Sequence, residues 1–229
     1  MKKAFVVVFE GNSGSGKETQ FKLAKTRAEQ EGLTIASFDF PRYGQVSARP
    51  IEEYLRGEKR YAPYDAAVLY ANDRLAVREA LWQAVNTKGV VFINRYVSSN
   101  FAYQGAGLTN PDEQAALIAA IEQLEYEQNK LPRPDLTLFL AVEPRVAQAQ
   151  VDKKGERSYI NGRDIHEADL NLEMRAAKIY KELSETRDDY QEIFCMQDEE
   201  TMRSREDIHS EIWELISRHL KNNPQEDTD

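Results

Sequence analysis

The sequence predicts an α/β fold of three layers, a five-stranded parallel sheet flanked by helices. Three observations predict it. Apolar strand candidates at residues 4–9, 33–38, 89–93, 135–142 and 191–197 alternate with helical patterns, as parallel strands joined by crossover helices require. The first strand runs directly into a glycine-rich turn, and a helical pattern begins where that turn ends. At 229 residues and 41% hydrophobic content the chain can bury one full core, so residues 1–221 are expected to form a single domain.

The organising stretch is Gly11-Asn12-Ser13-Gly14-Ser15-Gly16-Lys17, behind Ala4-Phe5-Val6-Val7-Val8-Phe9. Glycines let the backbone turn tightly with its N–H groups inward, a helix start adds partial positive charge, and Lys17 adds a full one. That combination is a P-loop, a phosphate cradle. A Ser or Thr usually follows the lysine and helps hold magnesium; here Glu18 stands there, and Thr19 is one helical step away.

Charge and cysteine usage narrow the partners. With 30 Lys+Arg against 39 Asp+Glu the net charge is −9, which opposes a nucleic-acid backbone as a partner. Cys195 is the one cysteine and sits in the apolar run Ile193-Phe194-Cys195-Met196, so it reads as a packed small residue in a reducing compartment. The N-terminal apolar run is too short for a signal-peptide core, and nothing approaches the ~20 apolar residues of a membrane span. A cytoplasmic protein is expected.

Taken in order, helix one is predicted from Gly16 to Glu31, burying Phe21, Ala24 and Ala28 and stopped by Gly32. The second strand ends at Asp39-Phe40-Pro41-Arg42-Tyr43-Gly44, where a proline and a glycine break regular structure at the crevice that binds ligands in such sheets. Arg42 is therefore a candidate anion contact. A short helix at 50–56 and a long one at 63–85 follow; Tyr70 and Arg74, four apart, share a face of the latter. The third strand ends in Asn94-Arg95-Tyr96. P-loop proteins commonly deliver an acid at this point to hold magnesium, and the chain offers Asn94, with Arg95 at the mouth of the crevice.

Asn110-Pro111-Asp112-Glu113 starts a helix expected to reach Asn129. Residues 152–163 combine glycines with Lys153, Lys154, Arg157 and Arg163, a short basic lid or, equally, a solvated loop. One packed helix is predicted over 164–183, and a last one after Ser204-Arg205-Glu206-Asp207. Residues 222–229 form a polar tail, expected to be disordered. His166, His209 and His219 form no metal-ligand spacing and read as surface or lid-edge residues.

Together these pieces resemble the thymidylate kinase family, the nucleoside monophosphate kinase branch of the P-loop NTPase fold. The resemblance is carried in order by Phe9-Glu10-Gly11 through Thr19-Gln20; Phe40-Pro41-Arg42; Leu69-Tyr70-Ala71-Asn72-Asp73-Arg74; Asn94-Arg95-Tyr96 with Ser98-Ser99; Ala102-Tyr103-Gln104-Gly105; and Pro134-Asp135-Leu136-Thr137-Leu138. It implies transfer of the ATP γ-phosphate to dTMP with Mg2+, and a homodimer. Gly11, Asn12, Ser13, Gly14, Ser15, Gly16, Lys17, Glu18 and Thr19 would bind ATP. Phe40, Pro41, Arg42, Tyr70, Arg74, Arg95, Ser99, Tyr103 and Gln104 would bind the acceptor. Lys17, Arg95, Arg157 and Arg163 would act on the transferring group, and Asn94 and Glu18 would lie near the metal.

Phosphoryl transfer asks mainly for positioned cations around spreading negative charge, and arginine's planar fork suits a phosphate clamp. A guanidinium can only donate, so Arg74 at the base edge would match the O4 acceptor of thymine and oppose the N4 donor of cytosine. The sequence departs from the family at Ser13, where an acid is usual, at Glu18, where a hydroxyl is usual, and at Asn94, where an aspartate is usual. Two alternatives therefore stay open: a P-loop nucleotide-binding protein with little or no kinase activity, and a kinase for another deoxynucleotide.

Overall fold

The computed structural model describes residues 3–153 and 163–222. Five parallel strands, β1 (Phe5–Glu10), β2 (Ile35–Asp39), β3 (Val90–Asn94), β4 (Leu136–Ala141) and β5 (Tyr190–Phe194), lie in the order β2-β3-β1-β4-β5. Each predicted strand is present. The helices are α1 (Lys17–Gln30), α2 (Arg49–Leu55), α3 (Pro63–Leu75), α4 (Arg78–Thr87), α5 (Val97–Ala106), α6 (Pro111–Glu122), α7 (Pro144–Asp152), α8 (Ile165–Ala168), α9 (Leu170–Thr186) and α10 (Arg205–Asn222).

Strand β1 is wholly buried at the sheet centre, and its side chains alternate between two cores. Phe5, Val7 and Phe9 pack with Phe21, Ala24 and Ala28 of α1 and Ile212 and Trp213 of α10. Val6 and Val8 face Leu81 of α4, Phe101 of α5, Ile121 of α6 and Ile179 of α9. Helices thus cover both faces, and the strand order reverses at β1, opening a crevice at the carboxyl ends of β1 and β3. Cys195 is buried, and burial pushes its thiol up to about 12, in keeping with a packing role. No helix among the described residues is long and apolar enough to cross a membrane.

Three predicted helices differ in detail. The one expected over 63–85 is two, because Val77 leaves helical geometry (φ −120°, ψ 15°) after its N–H bonds to the Arg74 carbonyl. The break lets α3 pack on α5 while α4 packs against β3. The one expected over 164–183 is also two. Asp164 accepts from the N–H groups of His166 and Glu167 to cap α8, and Asp169 accepts from Leu172 to cap α9; aspartates that bond backbone in this way interrupt helices. Finally, α6 ends in a wide turn, Gln123–Gln128, in which the Asn129 N–H reaches the Leu124 carbonyl. That turn carries Glu125 inward, where it is fully buried.

Candidate active site

The cradle is built by close approach of elements. Gly14 has φ 83°, and a Cβ there would lie 1.9 Å from the Ala147 carbonyl oxygen of α7, so no other residue fits without moving the backbone. Gly16, at φ 85°, begins α1 with no side-chain cap, which leaves the first-turn N–H groups turned toward an anion. Lys17 donates from Nζ to the Asn12 carbonyl at 2.9 Å. Asn12 is itself fixed from α9: its Nδ2 donates to the Glu173 carbonyl at 2.8 Å and to the Glu173 carboxylate.

In front of the cradle lies a cleft of about 1050 Å3. Of the residues predicted to bind ATP, Ser13 through Thr19 line it, with Gly11 and Asn12 in the loop behind. Of those predicted on the acceptor side, Phe40, Pro41, Tyr70, Arg74, Arg95, Ser99, Tyr103 and Gln104 line the same cleft. Asn94 and Glu18, the predicted metal residues, line it too. Glu18 also accepts from Lys22 Nζ at 2.7 Å.

Arg42 does not line the cleft. Its backbone N–H and Nε donate to the buried Asp73 at 2.8 and 3.2 Å, and its Nη2 donates to Ser47 Oγ at 2.6 Å; a buried carboxylate needs such a partner. Arg163 is likewise turned to Asp152, with a bidentate pair at 2.8 and 2.6 Å that planar geometry favours. Lys153 does line the cleft. Lys154 and Arg157 lie outside the described residues, as do residues 154–162 of the lid and 223–229 of the tail.

Arg95 sits at φ 60°, a left-handed backbone in which a non-glycine residue is strained. Its N–H bonds the Phe9 carbonyl at 3.0 Å, its Nη2 reaches Ser13 Oγ at 3.3 Å, and its guanidinium lies 5.5 Å from the Tyr103 ring centre. The strand end and α5 thus hold it toward the cradle. Tyr103 donates to the Glu173 carboxylate at 3.2 Å and stacks on His166 at 5.1 Å. His166 is buried rather than a surface residue, and burial lowers its ring below the usual histidine range.

Sequence reading missed the acids that brace the site. Glu10, fully buried, accepts from the N–H groups of Tyr96 and Ser99, from Ser99 Oγ and from the Tyr180 hydroxyl. Glu173 joins Asn12 to Tyr103, and burial raises its carboxyl above the usual range against the pull of Asn12, Arg95 and Lys17. Asp39 lines the cleft beside Asn94; it remains exposed, and partial desolvation at the cleft wall raises its carboxyl above the usual range. Met202 and Arg205 close the side near α1. A carboxylate's burial depends on elements distant in sequence, so the only local signal was Glu10 and Asp39 standing at strand ends.

The glycine-rich cradle with Lys17, and the cations Arg74 and Arg95, therefore open onto one space at the carboxyl edge of a parallel sheet, the layout of a P-loop phosphotransferase. The family model for thymidylate kinase matches residues 9–212. The thymidylate kinase of Mycobacterium tuberculosis is 33% identical over 185 residues, covering 78% of this chain and 85% of that one. That of Schizosaccharomyces pombe is 25% identical over 218 residues, covering 93% and 91%. A solved thymidylate kinase from Candida albicans shares the fold, with a TM-score of 0.74 at 20% identity over 95% of this chain and 92% of its own. The chain belongs to the thymidylate kinase family.

Proposed function

We propose that the protein transfers the γ-phosphate of ATP to dTMP, giving dTDP and ADP. The observation that carries this reading is that Lys17 and the first turn of α1 share one cleft with Tyr70, Arg74 and Arg95. Two polyanions brought together there meet fixed cations on both sides, which is most of what phosphoryl transfer asks of a protein. In this assignment the P-loop amides and Lys17 hold the donor phosphates, and Arg95 clamps the acceptor phosphate and then the transferring group. Tyr70 lies against the base, Arg74 donates to its edge, and Ser99, Tyr103 and Gln104 complete the acceptor wall. Arg42 is reassigned to hold the turn carrying Phe40 and Pro41, through Asp73. Arg163 would reach the transferring phosphate only by leaving Asp152; Arg157, expected to act on the same group, lies outside the described residues.

ATP is assigned as its magnesium complex; the ion would supply positive charge against the transferring phosphate, with Asp39 and Asn94 as the residues that would hold it. The residues fit a hard cation that keeps most of its waters. Asn94 Oδ1 is buried with no partner among the described residues, and the Asp39 carboxylate lies beside it. A homodimer, inferred from family likeness, is read directly by light scattering.

A coupled ADP-release assay with ATP, Mg2+ and a panel of nucleoside monophosphates tests the reading. Turnover should be highest with dTMP. A different preferred acceptor would reassign the substrate, and nucleotide binding with zero turnover would reduce the protein to a binding module.

A further inference from the structure

The third strand of this sheet ends in an amide where P-loop phosphotransferases place a cation-directed acid, and the structure shows where that charge has gone. Asp39 and Asn94 are register partners at the last rung of the β2–β3 ladder, so their side chains are cross-strand neighbours on one face. Asn94 Nδ2 donates to Asp39 Oδ1 at 2.9 Å. Asn94 is only 6% exposed, and its Oδ1 has no partner among the described residues. Both residues line the cleft, as does Glu18, and Asp39 is in electrostatic reach of Arg95, Glu18 and Lys17.

We propose that Asp39 carries the anionic, cation-directed role at the strand ends, and that Asn94 is the positioning residue that fixes its carboxylate and offers Oδ1 to the ion's hydration shell. The charge has moved one strand sideways on the same rung of the ladder, from the buried Asn94 position to the exposed Asp39. A buried amide oxygen left without a hydrogen bond is costly, so Asn94 Oδ1, on a residue that lines the cleft beside a carboxylate, marks a place where a water of a hydrated cation completes the bonding. A small divalent ion of this kind takes one or two carboxylates plus substrate phosphates rather than a full protein cage. Asp39 supplies the one carboxylate that the amide cannot.

The inference rests on the magnesium–ATP reading above, and the test separates the two. The full chain is loaded with a non-hydrolysable ATP analogue and titrated with Mn2+, free ion being read by electron paramagnetic resonance, for the wild type, Asp39→Asn, and Asp39→Asn combined with Asn94→Asp. Calorimetry of the analogue without metal reads the cradle independently. Loss of the charge should weaken Mn2+ binding to the loaded protein about tenfold or more, with metal-free analogue affinity retained. The exchanged pair, which returns the charge to β3 and keeps the cross-strand hydrogen bond, should bind Mn2+ nearly as the wild type does. If wild-type protein does not bind the analogue, the kinase reading falls. If it does, and Asp39→Asn keeps wild-type Mn2+ affinity or the exchanged pair stays as weak as the single variant, this inference alone is overturned.

Discussion

Arg74 and Glu125 form a buried ion pair at the wall of the cleft, Nε donating to Oε2 at 2.8 Å and Nη2 to Oε1. Their side chains are 2% and 0% exposed. Asn100 Nδ2 donates to the same carboxylate at 2.9 Å, and Arg74 Nη1 reaches the Tyr96 carbonyl at 3.3 Å. The guanidinium is therefore aimed before any ligand arrives. Breaking such a pair leaves a charge buried without its partner, which costs about 3–5 kcal/mol. Glu125→Gln should lower the unfolding free energy by roughly that amount, measured from urea midpoints, and raise the KM for dTMP more than that for ATP. Equal shifts in both would mean that the pair supports the fold without orienting Arg74.

Arg74 itself should govern base choice. A mispaired buried donor costs about 1–3 kcal/mol, so the site should favour dTMP over dCMP by roughly ten- to a hundredfold on this contact. Arg74→Ala should raise the dTMP KM strongly and shrink that ratio, as steady-state kinetics on the two acceptors would record. No change in either quantity would remove Arg74 from the acceptor pocket.

Gly14→Ala should disable the cradle. The added methyl would stand 1.9 Å from the Ala147 carbonyl oxygen, at a backbone φ of 83°. The left-handed backbone alone costs about 1–2 kcal/mol, and relieving the clash must shift the loop from α7. Both a lower melting temperature and a raised ATP KM are expected. A normal KM for ATP would show that the loop re-forms around an alanine.

The pH dependence of stability carries the signature of Glu173. Burial raises its carboxyl above 4.5 despite Asn12, Arg95 and Lys17. Between that value and the raised one the folded chain binds more protons than the unfolded chain, so this group's contribution to stability falls as pH rises through the window. Glu173→Gln removes the titration. Relative to wild type, the variant should gain stability as pH increases from 4.5 upward through the window and show a constant offset below it, in denaturant titrations at a series of pH values. A pH-independent difference would place the Glu173 carboxyl in its ordinary range.

Much of this was legible in the chain, and the rest was hidden for identifiable reasons. The strands and the cradle could be read because each is a local pattern: an apolar run, three glycines and a lysine, then a helical period. The break at Val77 carries neither glycine nor proline, and the one at Asp169 is made by a side chain that could equally have stayed in solvent. Glu125 reads as one more acid on a helix, and only the wide turn after α6 sends it to Arg74. Asp39 becomes the neighbour of Asn94 through strand order alone, since β2 pairs with β3 across 55 positions of sequence. Arg42 and Arg163 were expected to meet phosphate, whereas the partners they have here, Asp73 and Asp152, depend on geometry that spacing does not encode.

Phosphoryl transfer here requires donor and acceptor nucleotides to occupy one cleft together. Calorimetric titration of dTMP into protein already saturated with a non-hydrolysable ATP analogue and Mg2+ tests it most directly. A second, independent binding event of one dTMP per chain is expected, with the analogue retained; competition between the two nucleotides, or no dTMP binding at all, would rule out a shared cleft.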